Sequence, residues 1–479
     1  LITTAGEGIV LAVCQVVPIR FGNMKVIFDV TLVALSILLA LLFLGRLSGV
    51  REGTIAAALL VGQVTKQTNR LLVLRLLCSG QGLSRTEITR RVGLAKMTVS
   101  NITAELLRAG LIEEEAGGCA GVGRPQVELR LAAQAPAVVG LALNRNNCQA
   151  IAATMDLRTL ARSQVDLCPE ETTESLLGKM EALAREVSAT YDVPLTLHEP
   201  EVKGGADGVL TDLLDIETPA EVLGVGVASI GPLNAEQGRL LNPPDFYGIQ
   251  DVPITEELSR RLGKPVFLMN NMDASALAEK LYGCGADYHN FAYVGLSHGV
   301  GAGLVVNDSL FRGRQGFVGE LGHTTIDYNG PLCACGRRGC LELYVNPPKV
   351  LARCREELGR DFPSFQEFCR SCAAVPGGRE LMEDVLDKLS IALVDLCNLV
   401  DPEAVIIGNY AAFLSDAQLA WLEERVNRNV LARGAGRIPL LRSAFFTDAS
   451  LYGAAVLPLK RIFDGDLCYE RFFGETDGK

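Results

Sequence analysis

The chain has 479 residues, 48% of them apolar and 21% charged, with a net charge of −11 at neutral pH. That length allows two or three domains, and that composition excludes an intrinsically disordered chain. The acidic total does not exclude a nucleic-acid partner, because the charge is uneven: residues 1–65 carry +1, residues 66–130 carry +4 and residues 131–479 carry −16. A small basic segment beside a large acidic one suits an anionic partner for the first and a soluble body for the second.

Residues 1–65 stand apart from the rest. Val26 to Gly45 is a run of twenty residues whose one charge is Asp29, long enough to span a bilayer core. The first turns of the chain carry no basic region, and the run begins too late for a signal peptide. A buried hydrophobic hairpin is the alternative. Phe28-Asp29-Val-Thr-Leu and Gly49-Val-Arg-Glu-Gly-Thr-Ile resemble the C-terminal end of YczE/YitT-like multi-span membrane proteins. The expectation is an apolar, transmembrane N-terminal segment joined to a soluble protein, by gene fusion or by an error in the gene model. It would allow membrane association through residues 1–65. Basic residues flank the run equally on both sides, so the positive-inside rule does not orient it.

Residues 66–130 change character. Leu71–Cys78 has amphipathic helical spacing. Ser84 is placed to cap a helix over Thr86–Val92, with Glu87 completing a capping box. Gly93-Leu94 makes a tight turn, and a third helix covers roughly Ala95–Ala109, ended by Gly110. Leu111–Glu115 and Gln126–Arg130 then read as two short strands around a Gly-rich connection, so the segment is a helix-turn-helix with a β-wing. Lys96, Met97, Thr98, Ser100 and Asn101 occupy the first turns of the third helix, where base edges are read. Thr98 suits a thymine methyl and Asn101 an adenine edge. Arg90, Arg91 and Arg108 flank the helix at positions suited to phosphates, and Arg124 at the wing tip suits a minor groove. A small helical dimerisation module is the alternative.

From Val138 onward β-like runs alternate with helical patterns, which indicates an α/β body over 131–479. Strands are expected at Val222–Ile230, Val266–Met269, Ala292–Leu296, Gly303–Val306 and Ala404–Ile407. Helices are expected at 170–190, 273–283, 347–358, 380–399 and 416–432. The polar stretch 195–220 reads as a surface insertion.

Most of the fourteen cysteines are scattered, as buried free thiols in a reducing cytosol are. Cys369-Arg-Ser-Cys372 has redox or half-zinc spacing but no second pair, and reads as helix core. Cys333, Cys335 and Cys340 are different. They sit in Leu332-Cys-Ala-Cys-Gly-Arg-Arg-Gly-Cys-Leu-Glu342, with His323 upstream in Gly319-Glu-Leu-Gly-His323. Three thiols and one imidazole form a full tetrahedral set for structural zinc, and Gly336 and Gly339 let the backbone double back around it.

This run resembles the CxCGxxGCxE signature of the ROK family, a group of sugar kinases and sugar-responsive repressors. Ile230-Gly-Pro-Leu233, Leu241-Asn-Pro-Pro244, Leu399-Val-Asp-Pro402 and Leu451-Tyr-Gly-Ala-Ala455 match the same framework in order. Thr68-Asn-Arg70, Leu83–Ile88 and Gly93–Ser100 resemble the winged helix of the family's repressors. The resemblance covers 66–479 and implies an actin-like, ribonuclease H-like fold of two lobes around a cleft. It also implies that Asn270, Asn271, Glu320, His323 and Glu342 hold sugar hydroxyls.

A kinase on that fold needs glycines and a hydroxyl near phosphate, an acid near the metal, and a base for the sugar hydroxyl. The first phosphate loop, Asp-x-Gly-Gly-Thr in the family, is here Ala142-Leu-Asn144-Arg-Asn146. The second is Ser297-His298-Gly299-Val-Gly301-Ala-Gly303, with His298 where the hydroxyl belongs. The adenosine-side Gly-Gly is Gly408-Asn409. The catalytic Asp aligns with Asn271, an amide that cannot take a proton at neutral pH. Asp273 is expected to cap the following helix; a shifted register would instead make it the base. The expectation is a non-enzymatic regulator, a repressor of carbohydrate-metabolism genes that binds operator DNA and a sugar or sugar-phosphate. It would act as a homodimer or homotetramer, with 66–479 cytoplasmic. A hexose kinase using ATP is the alternative.

Overall fold

The structure, a computed structural model, describes residues 66–80, 82–116, 127–189, 221–244, 246–432, 434 and 436–467. The expected membrane segment within 1–65, the expected wing-tip Arg124 and the expected insertion at 195–220 lie outside the described residues. Among the described residues no helix is long and apolar enough to cross a membrane. The chain divides into two compact units, one built around Gly82–Arg130 and the other around Leu131–Arg461.

In the first unit, residues 66–77 are helical. A helix follows at Arg85–Val92, and the chain turns at Gly93, whose φ of 66° lies in the left-handed region that glycine enters at least cost. The third helix is Lys96–Arg108. Strands β1 (Ile112–Ala116) and β2 (Val127–Leu131) pair as the wing, and Leu83 bridges to Leu129. Leu74, Ile88, Val99, Leu106 and Leu129 close the core. Arg70, 4% exposed, ties the first helical stretch to the third helix through paired bonds of 2.8 Å to Glu105. Ser84 caps as expected, accepting from Glu87 N at 3.2 Å. The capping box does not form. The Glu87 carboxylate accepts from Arg90 and Arg91 instead, because two guanidiniums lie within one turn of it.

The second unit holds two sheets with the same plan. The first runs β5 (Thr159–Asp166), β4 (Asn147–Thr154), β3 (Ala137–Leu143), β6 (Val222–Ser229), β9 (Val266–Asn270). The second runs β12 (Ser309–Leu310), β11 (Val300–Val306), β10 (Phe291–Leu296), β13 (Ala404–Asn409), β14 (Leu440–Arg442). In each, an antiparallel meander of three strands precedes two parallel strands. The remaining small pair, β7 (Leu233–Asn234) and β8 (Arg239–Leu240), follows β6. Parallel strands buried on both faces read as continuous apolar runs, and β6, β10 and β13 are buried throughout.

Helices cover these sheets. The helix Ala449–Phe463 lies so close to the first sheet that a side-chain carbon on Gly140 would sit 2.5 Å from Ala455 N, and one on Gly226 1.9 Å from Ala454 O. The helix Asn271–Tyr282 leaves the end of β9 and packs on β10 and β11, linking the two lobes. The amphipathic helices Gly378–Val400 and Asp416–Asn429 cover the second sheet, where Cys369 and Cys372 are buried in the apolar core as expected.

Candidate functional site

A cleft of ≈ 640 Å³ opens within the second unit, lined by the β3–β4 turn, the ends of β6 and β9, the β10–β11 turn, the 317–323 segment, Glu342 and the end of β13. Asn270, Asn271, Glu320, His323 and Glu342 all line it, so residues far apart in sequence meet in one place.

Each is positioned by a local device. Gly319 has a φ of 86°, and a side-chain carbon there would lie 1.9 Å from Ala302 O; its own carbonyl accepts from Ala302 N at 2.7 Å. That close approach swings Glu320 to the cleft and His323 into the short turn Leu321–His323. Asn270 is the last residue of β9, and its side-chain oxygen accepts from Met272 N at 2.8 Å. Asn270 therefore caps the helix Asn271–Tyr282. Asp273, expected as the cap, lies inside the first turn instead, 8% exposed and absent from the residues that line the cleft. The Asn carbonyl reaches the free N–H groups because its backbone is extended, while Asp273 is already helical. Burial pushes the Asp273 carboxyl up to about 6; Arg312 opposes the shift and Glu320 adds to it.

Glu320 faces the open cleft but is walled on its other sides. That desolvation raises its pKa; His323 opposes the rise and Glu342 adds to it. Glu342 begins a short helix, and its Oε1 lies 3.4 Å from His323 Nδ1 and 3.2 Å from Cys333 Sγ.

His323, Cys333, Cys335 and Cys340 form a cluster whose ligand atoms all lie within 4.8 Å of one another. Cys335 Sγ is 3.6 Å from Cys340 Sγ, and Cys333 Sγ is 3.8 Å from His323 Nδ1. Tetrahedral bonds of zinc length would set such pairs about 3.6–3.8 Å apart. The donor set and its spacing fit a tetrahedral ion. The loop that makes them converge turns at Gly336 and Gly339, with φ of 86° and 61°. Cys333 N donates to Arg337 O at 2.7 Å, which closes the turn.

The two turns aligned with phosphate loops also meet. Asn144 folds the first back on Asn147, with backbone and side-chain bonds of 2.9 Å. Asn146 Nδ2 then lies 3.2 Å from His298 Nε2 in the second turn. Arg145, between the two asparagines, lines the cleft; Tyr247 OH donates to its carbonyl at 3.0 Å, and its Nη1 donates to Pro244 O at 2.7 Å. Arg162 on β5 reaches across to Asp448 in bonds of 2.6 and 2.8 Å. Sequence reasoning treated the first turn only as a lost phosphate loop and assigned Arg145 and Arg162 no role. An Arg between two Asn in a hairpin turn was the available signal.

On the third helix of the first unit, Lys96, Met97 and Asn101 are exposed, while Thr98 and Ser100 are half-buried. The buried residues Val99, Ile102, Thr103 and Leu106 occupy the opposite face. No side chain caps this helix and no acid sits in its first turn, which leaves its positive end to an anion. Arg90 and Arg91 are engaged by Glu87, whose pKa they hold down to about 2.

Known proteins share this architecture. The ROK family model matches residues 210–461, a winged helix-turn-helix DNA-binding model matches 67–113, and a family of unknown function, DUF6198, matches 1–70. A xylose repressor of Caldicellulosiruptor bescii is 30% identical over 376 residues, 76% of this chain and 88% of its own length. A glucokinase of Thermotoga maritima is 31% identical over 264 residues, 52% of this chain and 83% of its own. The crystal structure of a ROK family transcriptional regulator, a homologue of the E. coli MLC protein, superposes with a TM-score of 0.67 at 24% identity, over 85% of this chain and 99% of that one.

Proposed function

This chain belongs to the ROK family, and on that premise we propose that it is a sugar-responsive DNA-binding transcriptional regulator, a repressor of carbohydrate-metabolism genes. The observation that carries this is a pairing within one cleft. Asn270, Asn271, Glu320, His323 and Glu342, the residues that the family resemblance gives as the sugar wall, meet there, and by the same resemblance Asn271 takes the place of the base that phosphate transfer needs. An amide can donate to a sugar hydroxyl and accept from it, but it cannot remove its proton. The chain is accordingly a binder and not a kinase. The repressor reading also has the xylose repressor of Caldicellulosiruptor bescii behind it, and xylose belongs among the candidate sugars.

His323, Cys333, Cys335 and Cys340 would hold a structural zinc ion. The ion supplies rigidity, not chemistry. With Nδ1 turned to the thiols, His323 presents its other ring nitrogen as a donor fixed in direction. Asn270 uses its oxygen as the helix cap, so its amide NH₂ remains as the donor toward ligand. Glu320 and Glu342 accept from hydroxyls, and Asn271 bonds in either sense. Buried polar groups of this kind discriminate between sugars because a missing partner is costly.

Residues 66–130 act as the operator-reading domain, with Lys96, Met97, Thr98, Ser100 and Asn101 toward the major groove and Arg124 toward the minor groove. Residues 131–479 act as the sugar-binding domain, both in the cytoplasm. Two or four copies present paired winged helices to a two-half-site operator, and the sugar biases the body between two states. A shift of practical size needs a differential affinity of about 1–3 kcal/mol.

A gel shift tests this directly. The full-length chain is titrated onto the intergenic DNA flanking its gene, with and without hexoses, pentoses, amino sugars and their phosphates. A specific complex released by one sugar is expected. Zinc-loaded, folded protein that binds no sequence specifically would defeat the regulator reading.

A further inference from the structure

We propose, resting on the reading of residues 66–130 as the operator-reading domain, that the half-site is recognised through a run of A·T pairs, with Met97 and Ala104 against thymine methyls and Asn101 on an adenine between them. The observation that carries this is a stripe along the third helix, Lys96–Arg108. Met97, Asn101, Ala104 and Arg108 are exposed along it, while Val99, Ile102, Thr103 and Leu106 are buried behind them. At 3.6 residues per turn the four exposed positions fall within about 60° of arc, so they form one continuous face. Met97 is 72% exposed, the most exposed large apolar side chain among the described residues of its unit. Its unbranched thioether can settle against an irregular apolar surface. Thr98 lies on the shoulder of the stripe and is half-buried, so the thymine contact falls to Met97 instead.

The chemistry of the stripe selects the bases. In the major groove a thymine offers its methyl to apolar side chains, and an adenine offers N6 and N7 to an amide. A guanine suits Arg or Lys, and a cytosine suits a carboxylate. Met97, Asn101 and Ala104 present an apolar group, an amide and an apolar group in that order. No acid stands on this face: Glu105 turns away to Arg70 at 2.8 Å. Arg85, on the preceding helix, is likewise directed to Glu114 at 2.7 Å. Lys96 stands about a quarter turn off the stripe, so a guanine it met would lie beside the run. Base edges are met by the N-terminal part of such a helix, so Arg108 at the other end is left to a phosphate. From Met97 to Ala104 the helix rises about 10 Å, or about three base-pair steps of roughly 3.4 Å. The three side chains therefore match three neighbouring pairs.

Selection from a random duplex library with the full-length chain defines the half-site, and fluorescence anisotropy on the selected duplex reads the contacts. Each thymine is replaced in turn by deoxyuridine, which removes the 5-methyl and leaves the pairing intact. Each adenine is replaced by 7-deazaadenine, which removes the N7 acceptor. A half-site with a run of about three A·T pairs is expected. Loss of either of two thymine methyls should weaken binding about three- to fivefold, the effect of exposing one apolar carbon. In Met97→Ala, a change outside the core, one of those two positions should become indifferent to its methyl while the other stays sensitive. In Asn101→Ala the adenine between them should become indifferent to loss of N7. G·C at these pairs, methyls that the wild type does not sense, or sensitivity that Met97→Ala leaves at both positions overturns this readout and leaves the regulator reading standing. Enrichment of no sequence overturns the regulator reading, and the readout with it.

Discussion

His323 Nδ1 lies 3.8 Å from Cys333 Sγ while the same ring lines the cleft, so one side chain belongs to both the candidate metal cluster and the proposed sugar wall. Removing the metal should therefore damage binding as well as stability. Chelation, or Cys335→Ser at the exposed ligand, is expected to lower Tm by roughly 5–10 °C and to weaken sugar binding at least about tenfold. Calorimetry and zinc analysis on the same samples check it. Sugar affinity that survives complete loss of zinc would separate the two roles.

Asn271 offers a test of the proposed loss of kinase chemistry. Wild-type protein is expected to release no ADP in a hexose-dependent manner, against a usual kinase turnover of about 1–100 per second. Asn271→Asp should remain inactive, because Asn144, Asn146 and His298 still occupy the two turns that the family resemblance aligns with phosphate loops. A coupled ADP assay reads both proteins. Turnover in the variant would mean that those turns still accept ATP.

The exposed stripe of the third helix separates base reading from charge. Asn101→Ala should cost about 1–3 kcal/mol at the operator and relax discrimination at one base pair. Arg108→Ala should weaken all sequences alike and reduce the salt slope by about 0.9. Fluorescence anisotropy across a salt series distinguishes them. Equal loss of specificity in both variants would count against the assignment.

Asp273 places a carboxyl in the interior with a pKa of about 6, above the ordinary 3.8. Its contribution is therefore most favourable below the ordinary value and is lost as pH rises toward 6. At pH 7.5 it is buried and ionised. Asp273→Asn should stabilise the protein there by about 1–3 kcal/mol, less whatever Arg312 loses, and by progressively less toward pH 4. Urea unfolding at several pH values measures it. A pH-independent effect would show that the carboxyl is not raised.

Much of the site was readable in the chain because its parts are local. The thiols of Cys333, Cys335 and Cys340 are brought together by the turns at Gly336 and Gly339, and both turns are written in the same short run. The three helices of the first unit follow from periodicity and from Ser84 and Gly93. In the body, the expected strands at Val222, Val266, Ala292 and Ala404 formed with ends shifted by one or two residues. Strands β3 and β4 were less legible, since apolar and Ala-rich strands that are largely buried carry little alternation. The short helices Ile254–Leu262 and Phe365–Ser371 were not anticipated either.

What the chain alone determined is the inventory: a helix-turn-helix, three thiols and one imidazole that could hold an ion, and the amide of Asn271 at the position that the family resemblance aligns with a base. Each is a matter of residue type and near spacing. Tertiary structure decided the pairings that cross long stretches of chain. It made Asn270 the cap in place of Asp273, set Asn146 against His298, and brought Arg145 to the wall that Glu342 shares. Such contacts depend on how two five-stranded sheets close around a cleft, and that packing is a sum over the whole body that no short run of residues contains.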